Sequence, residues 1–201
     1  MIALKALLTL WIICISQCMA ARLSCKPQGV AGSLVGIHIS GNTSEHFEVS
    51  NSKEVNGYPA LIKVDKTDQM FQFFQCEPPS KKYKAGGQLR SLKNTSMCLT
   101  PGQVQRYDHD SGNYSPYPQD VDDRISLQPC MDMHSLLLRK QWFMETETEY
   151  GCRMRVTQQG WRTDGTSDTI IMSENGVAIG RGDSSRNEVK MFLQAKGSLE
   201  C

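Results

Sequence analysis

The chain has 201 residues, 39% of them hydrophobic and 21% charged, with 22 Lys and Arg against 21 Asp and Glu for a formal charge of +1. That balance supplies no basic footprint for nucleic acid or an anionic membrane surface. The length is that of one compact domain able to bury a core of its own.

The first segment, MIALKALLTLWIICISQCMAAR, sets Lys5 before an apolar run from Ala6 to Ile15 and small residues at Ala20 and Ala21. This pattern predicts a secretory signal peptide over 1–20, leaving 21–201 as a mature, extracellular chain. The apolar run is shorter than the ~20 residues of a spanning helix, and no second one follows. Of the charged residues only Lys5 would be lost, which brings the mature charge to zero.

Six cysteines remain after residue 20: Cys25, Cys76, Cys98, Cys130, Cys152 and Cys201. An even number on an oxidising route predicts disulfides. No metal or other cofactor is expected, because there is no C-x-x-C pair and the histidines His38, His46, His109 and His134 are scattered. Sequons at Asn42, Asn94 and Asn113 are candidate N-glycosylation points in polar turns.

Along the mature chain, short alternating apolar runs recur between Gly, Pro, Asn, Asp and Ser clusters. They fall at 34–39, 60–64, 70–74, 124–127, 152–156, 169–172 and 188–193. Such spacing predicts an all-β barrel or sandwich. The stretch HSLLLRKQWFM is compatible with a strand or with one helical turn.

The runs also repeat. Residues 91–102 lie under 171–182, and the earlier 55–76 follows the same strand-turn-strand pattern, with Gln75-Cys76 under Pro129-Cys130. Three units too small to bury their own faces predict a closed three-lobed barrel, with lobes of roughly 22–80, 84–150 and 151–201.

Between two of these runs stands a polar insertion, 101–123, which reads as a long loop without secondary structure. Its Tyr107, Tyr114 and Tyr117 offer faces for stacking, and Asp108 and Asn113 offer hydrogen bonds, so these five form a candidate glycan-binding set. Other motifs read as surface features. Arg181-Gly182-Asp183 fits a hairpin turn, Lys81-Lys82 and Arg139-Lys140 are isolated basic pairs, the acidic 145–150 lacks calcium-loop spacing, and Trp161 sits in a polar, exposed stretch.

Three motifs together carry a resemblance. MCLT (97–100), ISLQPC (125–130) and KQWF (140–143) resemble the CL…V-x-L-x-x-C…Q-x-W series of ricin B-type (R-type) lectin lobes, whose fold is the β-trefoil. The resemblance implies a Cys98–Cys130 disulfide and a Gln-Trp strand that plugs the barrel. The other four cysteines stay open: Cys25–Cys76 with Cys152–Cys201, or Cys25–Cys201 with Cys76–Cys152.

It also implies carbohydrate binding, but the aspartate that holds sugar hydroxyls in such lobes is replaced by Thr100 in the middle lobe and Gly180 in the last. Neither can accept a charge-assisted hydrogen bond. The insertion is therefore the expected site. The sequence shows no nucleophile elbow, H-E-x-x-H or phosphate loop. A secreted, non-catalytic lectin-like binder is the leading expectation, with a protein-binding inhibitor or host-interaction factor as the alternative and a secreted hydrolase third.

Overall fold

In the computed structural model, residues 22–38, 43–118, 121–133, 135–149, 153–159, 169–173, 176–180 and 188–196 are described. The leader 1–20, Asn42, His134, Cys152, Trp161, the Arg181–Asp183 tripeptide and Cys201 lie outside the described residues.

The architecture is all-β. The strands are β1 (Cys25–His38), β2 (Ser44–Val55), β3 (Tyr58–Val64), β4 (Phe71–Cys76), β5 (Gly86–Ser91), β6 (Met97–Pro101), β7 (Val104–Asp108) and β8 (Asn113–Tyr117), followed by β9 (Ile125–Pro129), β10 (Phe143–Glu149), β11 (Arg153–Gln158), β12 (Thr169–Ser173), β13 (Gly176–Gly180) and β14 (Glu188–Ala195). One short helix, α1 (Leu136–Lys140), precedes β10. Ser135 caps it, its Oγ accepting from Leu138 N at 3.1 Å, and Arg139 and Lys140 end it where its carbonyls favour cations.

Alternation makes the strands. In β11, Met154, Val156 and Gln158 are buried while Arg153, Arg155 and Thr157 between them are half-buried. Phe71 and Phe73 of β4 turn inward in the same way.

The pairings close on themselves. Nine strands form a circuit in the order β1, β2, β3, β9, β6, β5, β10, β11, β14 and back to β1. β4 lies across this circuit, paired with both β1 and β5. β1, β4, β5, β10, β11 and β14 thus form a shorter ring of their own. A closed barrel leaves its ring strands no open edge. The remaining pairs, β2–β3, β6–β9 and β12–β13, are hairpins that stand on it.

The three hairpins meet. Ala60 of β3 pairs with Ser126 of β9, and Arg124 bridges to Ala178 of β13. Gly176, at φ +143°, sits so close that a Cβ would lie 3.1 Å from both the Leu61 carbonyl and the Arg124 Cδ. Only glycine suits both that angle and that approach. The core inside the ring is built from every part of the chain, including Leu34, Phe73, Leu89, Phe143, Val156 and Leu193.

Among the described residues two disulfides lock the ends of strands. Cys25–Cys76 joins β1 to β4, directly opposite each other in the ladder, and Cys98–Cys130 joins β6 to the end of β9. The first removes the alternative of Cys25–Cys201 with Cys76–Cys152.

The repeat register read from the sequence is displaced by one strand. Cys76 closes β4, a strand of the six-strand ring, whereas Cys130 follows β9, a strand of a hairpin that stands on it. Likewise 91–102 spans β5 and β6, while 171–182 begins on the hairpin β12–β13. The reason is physical: with a side-chain period of two, any alternating hairpin overlays any other.

A second, smaller apolar cluster lies apart from the core, made of Cys76, Tyr83, Leu138 and Trp142 with Leu23, Cys25 and Met131 against it. Trp142 belongs here. Phe143, its neighbour, enters the main core instead, so the tryptophan seals the outside of the barrel under the 80–84 segment and does not plug the interior. Adjacent strand positions face opposite sides, which is why the two rings part.

Candidate functional site

The place where a lectin-like lobe would carry its aspartate is filled. Thr100 is 0% exposed, its hydroxyl donates to the Cys98 carbonyl at 3.1 Å, and it accepts from Gln141 Nε2 at 2.9 Å. Gln141 is equally buried. Its Nε2 also donates to the Pro129 carbonyl at 2.9 Å, and its Oε1 accepts from Met131 N at 2.8 Å. Gln88 completes the network by donating to the Met131 carbonyl at 2.8 Å. One side-chain amide thereby satisfies the backbone turn that follows β9. The polar side chains of Thr100, Gln141 and Gln88 are thus engaged with one another and with the backbone around β9.

The insertion 101–123, expected as an unstructured loop, holds the hairpin β7–β8. The chain turns at His109–Gly112, with Gly112 at φ 67°. The turn residues Asp110-Ser111-Gly112-Asn113 were the available signal. Pro116 and the density of charge obscured it.

Its base is anchored. Val104 is buried, Gly102 N donates to the Arg124 carbonyl at 3.0 Å, and Gln103 Nε2 donates to the Val121 carbonyl at 2.9 Å. Lys140 Nζ donates to the Gly102 carbonyl, and burial pushes its pKa below the usual lysine range. Beyond this base, β7 and β8 form a two-stranded sheet apart from the barrel, and the turn His109–Gly112 is exposed.

The five candidate residues all fall on this hairpin. Tyr107 pairs with Tyr114, Asp108 with Asn113, and Tyr117 with Val104. In that register positions 107 and 114 share one face, while 108, 113 and 117 share the other. The Arg106 guanidinium lies 5.0 Å from the centre of the Tyr117 ring, so this tyrosine already holds a cation. Of the other expected positions, Asn94 sits in an exposed turn, its Oδ1 accepting from Ser96 N at 3.1 Å and Oγ at 2.7 Å.

Asp122 and Arg124 brace the strand leaving the hairpin. Asp122 Oδ1 accepts from Arg124 N at 3.0 Å and from its Nε at 2.9 Å, and Arg124 Nη2 also reaches the Glu54 carbonyl at 3.2 Å. Hydrogen bonding from Arg124 holds the Asp122 carboxyl below its ordinary pKa, against a smaller opposing effect of burial. A depressed folded pKa contributes stability that is present above the unfolded value, about 3.9, and is lost as pH falls through the folded value. Asp122→Asn is therefore expected to lower the melting temperature at pH 7, with the gap to the parent protein closing below about pH 4. Thermal unfolding across that range measures it, and a constant gap would contradict the pairing.

A groove of about 1000 Å³ opens between β2, the 66–70 segment and the turn after β5, lined by Glu48, Lys66, Asp68, Leu92 and Lys93 among others. Gln69 shapes one wall by bonding both the amide and the carbonyl of Val49, at 2.8 and 2.7 Å. Leu92 is 42% exposed at its rim. The sequence carried no sign of this groove because its walls come from separate segments.

Among the described residues, no group of three or more His, Cys, Asp or Glu is arranged to hold a metal ion, and no helix is long and apolar enough to cross a membrane. Comparison with models of protein families, with curated proteins and with solved structures finds no match.

Proposed function

We propose that this chain is a secreted, non-catalytic β-trefoil that binds glycans through the hairpin β7–β8. The trefoil reading is supported by the ring of six strands carrying three hairpins, and by the twelve strands of the main sheet falling four each in the segments 25–76, 86–149 and 153–195. The observation that carries the functional reading is the hairpin itself. Among the described residues its two strands pair only with each other, and they carry Tyr107, Asp108, Asn113, Tyr114 and Tyr117 on neighbouring register positions. Tyr107 and Tyr114, opposite each other in the ladder, offer paired rings for a sugar to stack on, and Asp108 and Asn113, opposite each other on the other face, offer hydrogen-bonding groups.

Affinity per site is expected to be weak, of order mM or about −4 kcal/mol, so useful retention needs a polysaccharide that engages several copies. On a glycan array, the double variant Tyr107→Ala/Tyr114→Ala should lose tenfold or more of the signal that the parent protein gives, at an unchanged melting temperature. Equal binding by the variant would remove these positions from the site.

One observation favours a second reading. Among the described residues β7 and β8 pair only with each other, so both outer edges are open to an added strand from an extracellular protein. An array on which the parent protein retains no glycan would move this reading to first place.

A further inference from the structure

The fold gathers a basic face that the linear sequence conceals. Lys81-Lys82 and Arg139-Lys140 are separate pairs in the chain, yet Arg139 Nη1 donates to the Lys82 carbonyl at 2.9 Å and its guanidinium lies 4.6 Å from the centre of the Tyr83 ring. Gln159 fixes the same loop from the other side. Its Nε2 donates to the Lys82 carbonyl at 3.0 Å and its Oε1 accepts from Lys84 N at 2.9 Å. With the Trp142 indole bonded to the Lys84 carbonyl at 3.0 Å, the 81–84 backbone is held in one shape. Lys81, Lys82 and Lys84 project from it, exposed.

The N-terminal segment is stitched to the same region by Leu23 N to the Asp132 carbonyl at 2.8 Å and Glu77 N to the Ser24 carbonyl at 3.0 Å. It adds Arg22, which faces Asp132 at 3.6 Å. Residues 22–25, 76–84 and 131–139 thus bring together five basic and two acidic side chains, the acids being Glu77 and Asp132. The whole chain carries only +1, so the rest of it is net acidic. Among the described residues no ion pair takes up Lys81, Lys82 or Lys84.

We infer that this face is a second binding site, independent of the hairpin, for an anionic extracellular polysaccharide, with Lys81, Lys82 and Lys84 as the principal contacts. A preformed row of ammonium groups on a fixed backbone matches a polymer with regularly spaced sulfate or carboxylate charges. Low net charge on the remainder keeps attraction confined to the one face. Buried beneath the loop, Arg139 adds positive potential where screening by salt is weakest.

The test is affinity for immobilised heparin against salt concentration. The mature protein is expected to be retained at about 0.15 M ionic strength. Lys81→Gln/Lys82→Gln/Lys84→Gln should bind roughly 100-fold more weakly, with a shallower dependence of log affinity on log salt, because fewer counterions are released. The control Lys53→Gln/Lys66→Gln/Lys93→Gln removes three exposed lysines elsewhere and should bind like the parent protein.

Failure of the parent protein to bind, or equal losses in the two variants, would overturn the inference. So would equally tight, equally lysine-dependent binding to vesicles of anionic phospholipid, which would make the face a headgroup reader. Replacing the β7–β8 hairpin should leave heparin retention intact, and loss of both together would also count against two sites.

Discussion

Trp142→Ala is expected to cost about 3–5 kcal/mol, through lost burial and the cavity left behind. The indole is 0% exposed, packs edge-on to Tyr83 with ring centroids 4.8 Å apart, and satisfies the Lys84 carbonyl. The backbone packs tightly on it, since a Cβ at Gly86 would come 2.7 Å from the indole Nε1 and 2.4 Å from the Phe143 carbonyl. For a domain of this size that loss corresponds to a fall of roughly 6–20 °C in melting temperature, with a lower yield of folded protein alongside. Trp142→Phe should recover much of the packing but not the hydrogen bond, and so fall between. A melting temperature unchanged in the alanine variant would show that the satellite cluster does not hold α1 and the 80–84 segment to the barrel.

Removing the Cys98–Cys130 bond by replacing both residues with alanine is expected to cost about 3–4 kcal/mol. The two are 32 residues apart in sequence, and most of that span is the hairpin insertion, which is free to sample many shapes once the chain unfolds. Cross-linking across it restricts the unfolded ensemble more than the folded one. A smaller part of the effect is local, because the bond lies beside the Gln141–Thr100 network, and loosening β9 from β6 would expose those buried amides to competition from water. Equilibrium urea unfolding of the parent and variant gives the difference directly. No difference, or peptide mapping that pairs Cys98 with another cysteine, would contradict the arrangement.

Much of the barrel was legible as alternation. The runs at 34–39, 60–64, 70–74, 124–127, 152–156, 169–172 and 188–193 each lie on or against an observed strand. β2 and β5 were harder to see. β2 is rich in Ser, Asn, Lys and Glu and breaks its register between Ser50 and Glu54, while β5 opens on two glycines and buries Gln88 and Ser91. Buried polar residues defeat a hydrophobic pattern when their partners lie far along the chain, as Gln141 does for Gln88.

The hairpin residues were legible as chemistry but not as geometry. Their types suggested stacking and hydrogen bonding, whereas only the ladder shows which positions share a face. The groove and the basic face had no local signature at all, because segments separated by tens of residues build each of them.

One measurement tests the central claim most directly. Val104 and Tyr117 already face each other across the base of the hairpin, so residues 105–116 can be replaced by an Asn-Gly turn that suits a two-residue connection between strands. The shortened protein should melt within about 2 °C of the parent, because the anchors at Gly102, Gln103 and Arg124 are kept, and it should lose retention on whichever array glycan the parent binds. Undiminished retention of that glycan by the correctly folded, shortened protein would contradict the assignment of the binding site to this hairpin.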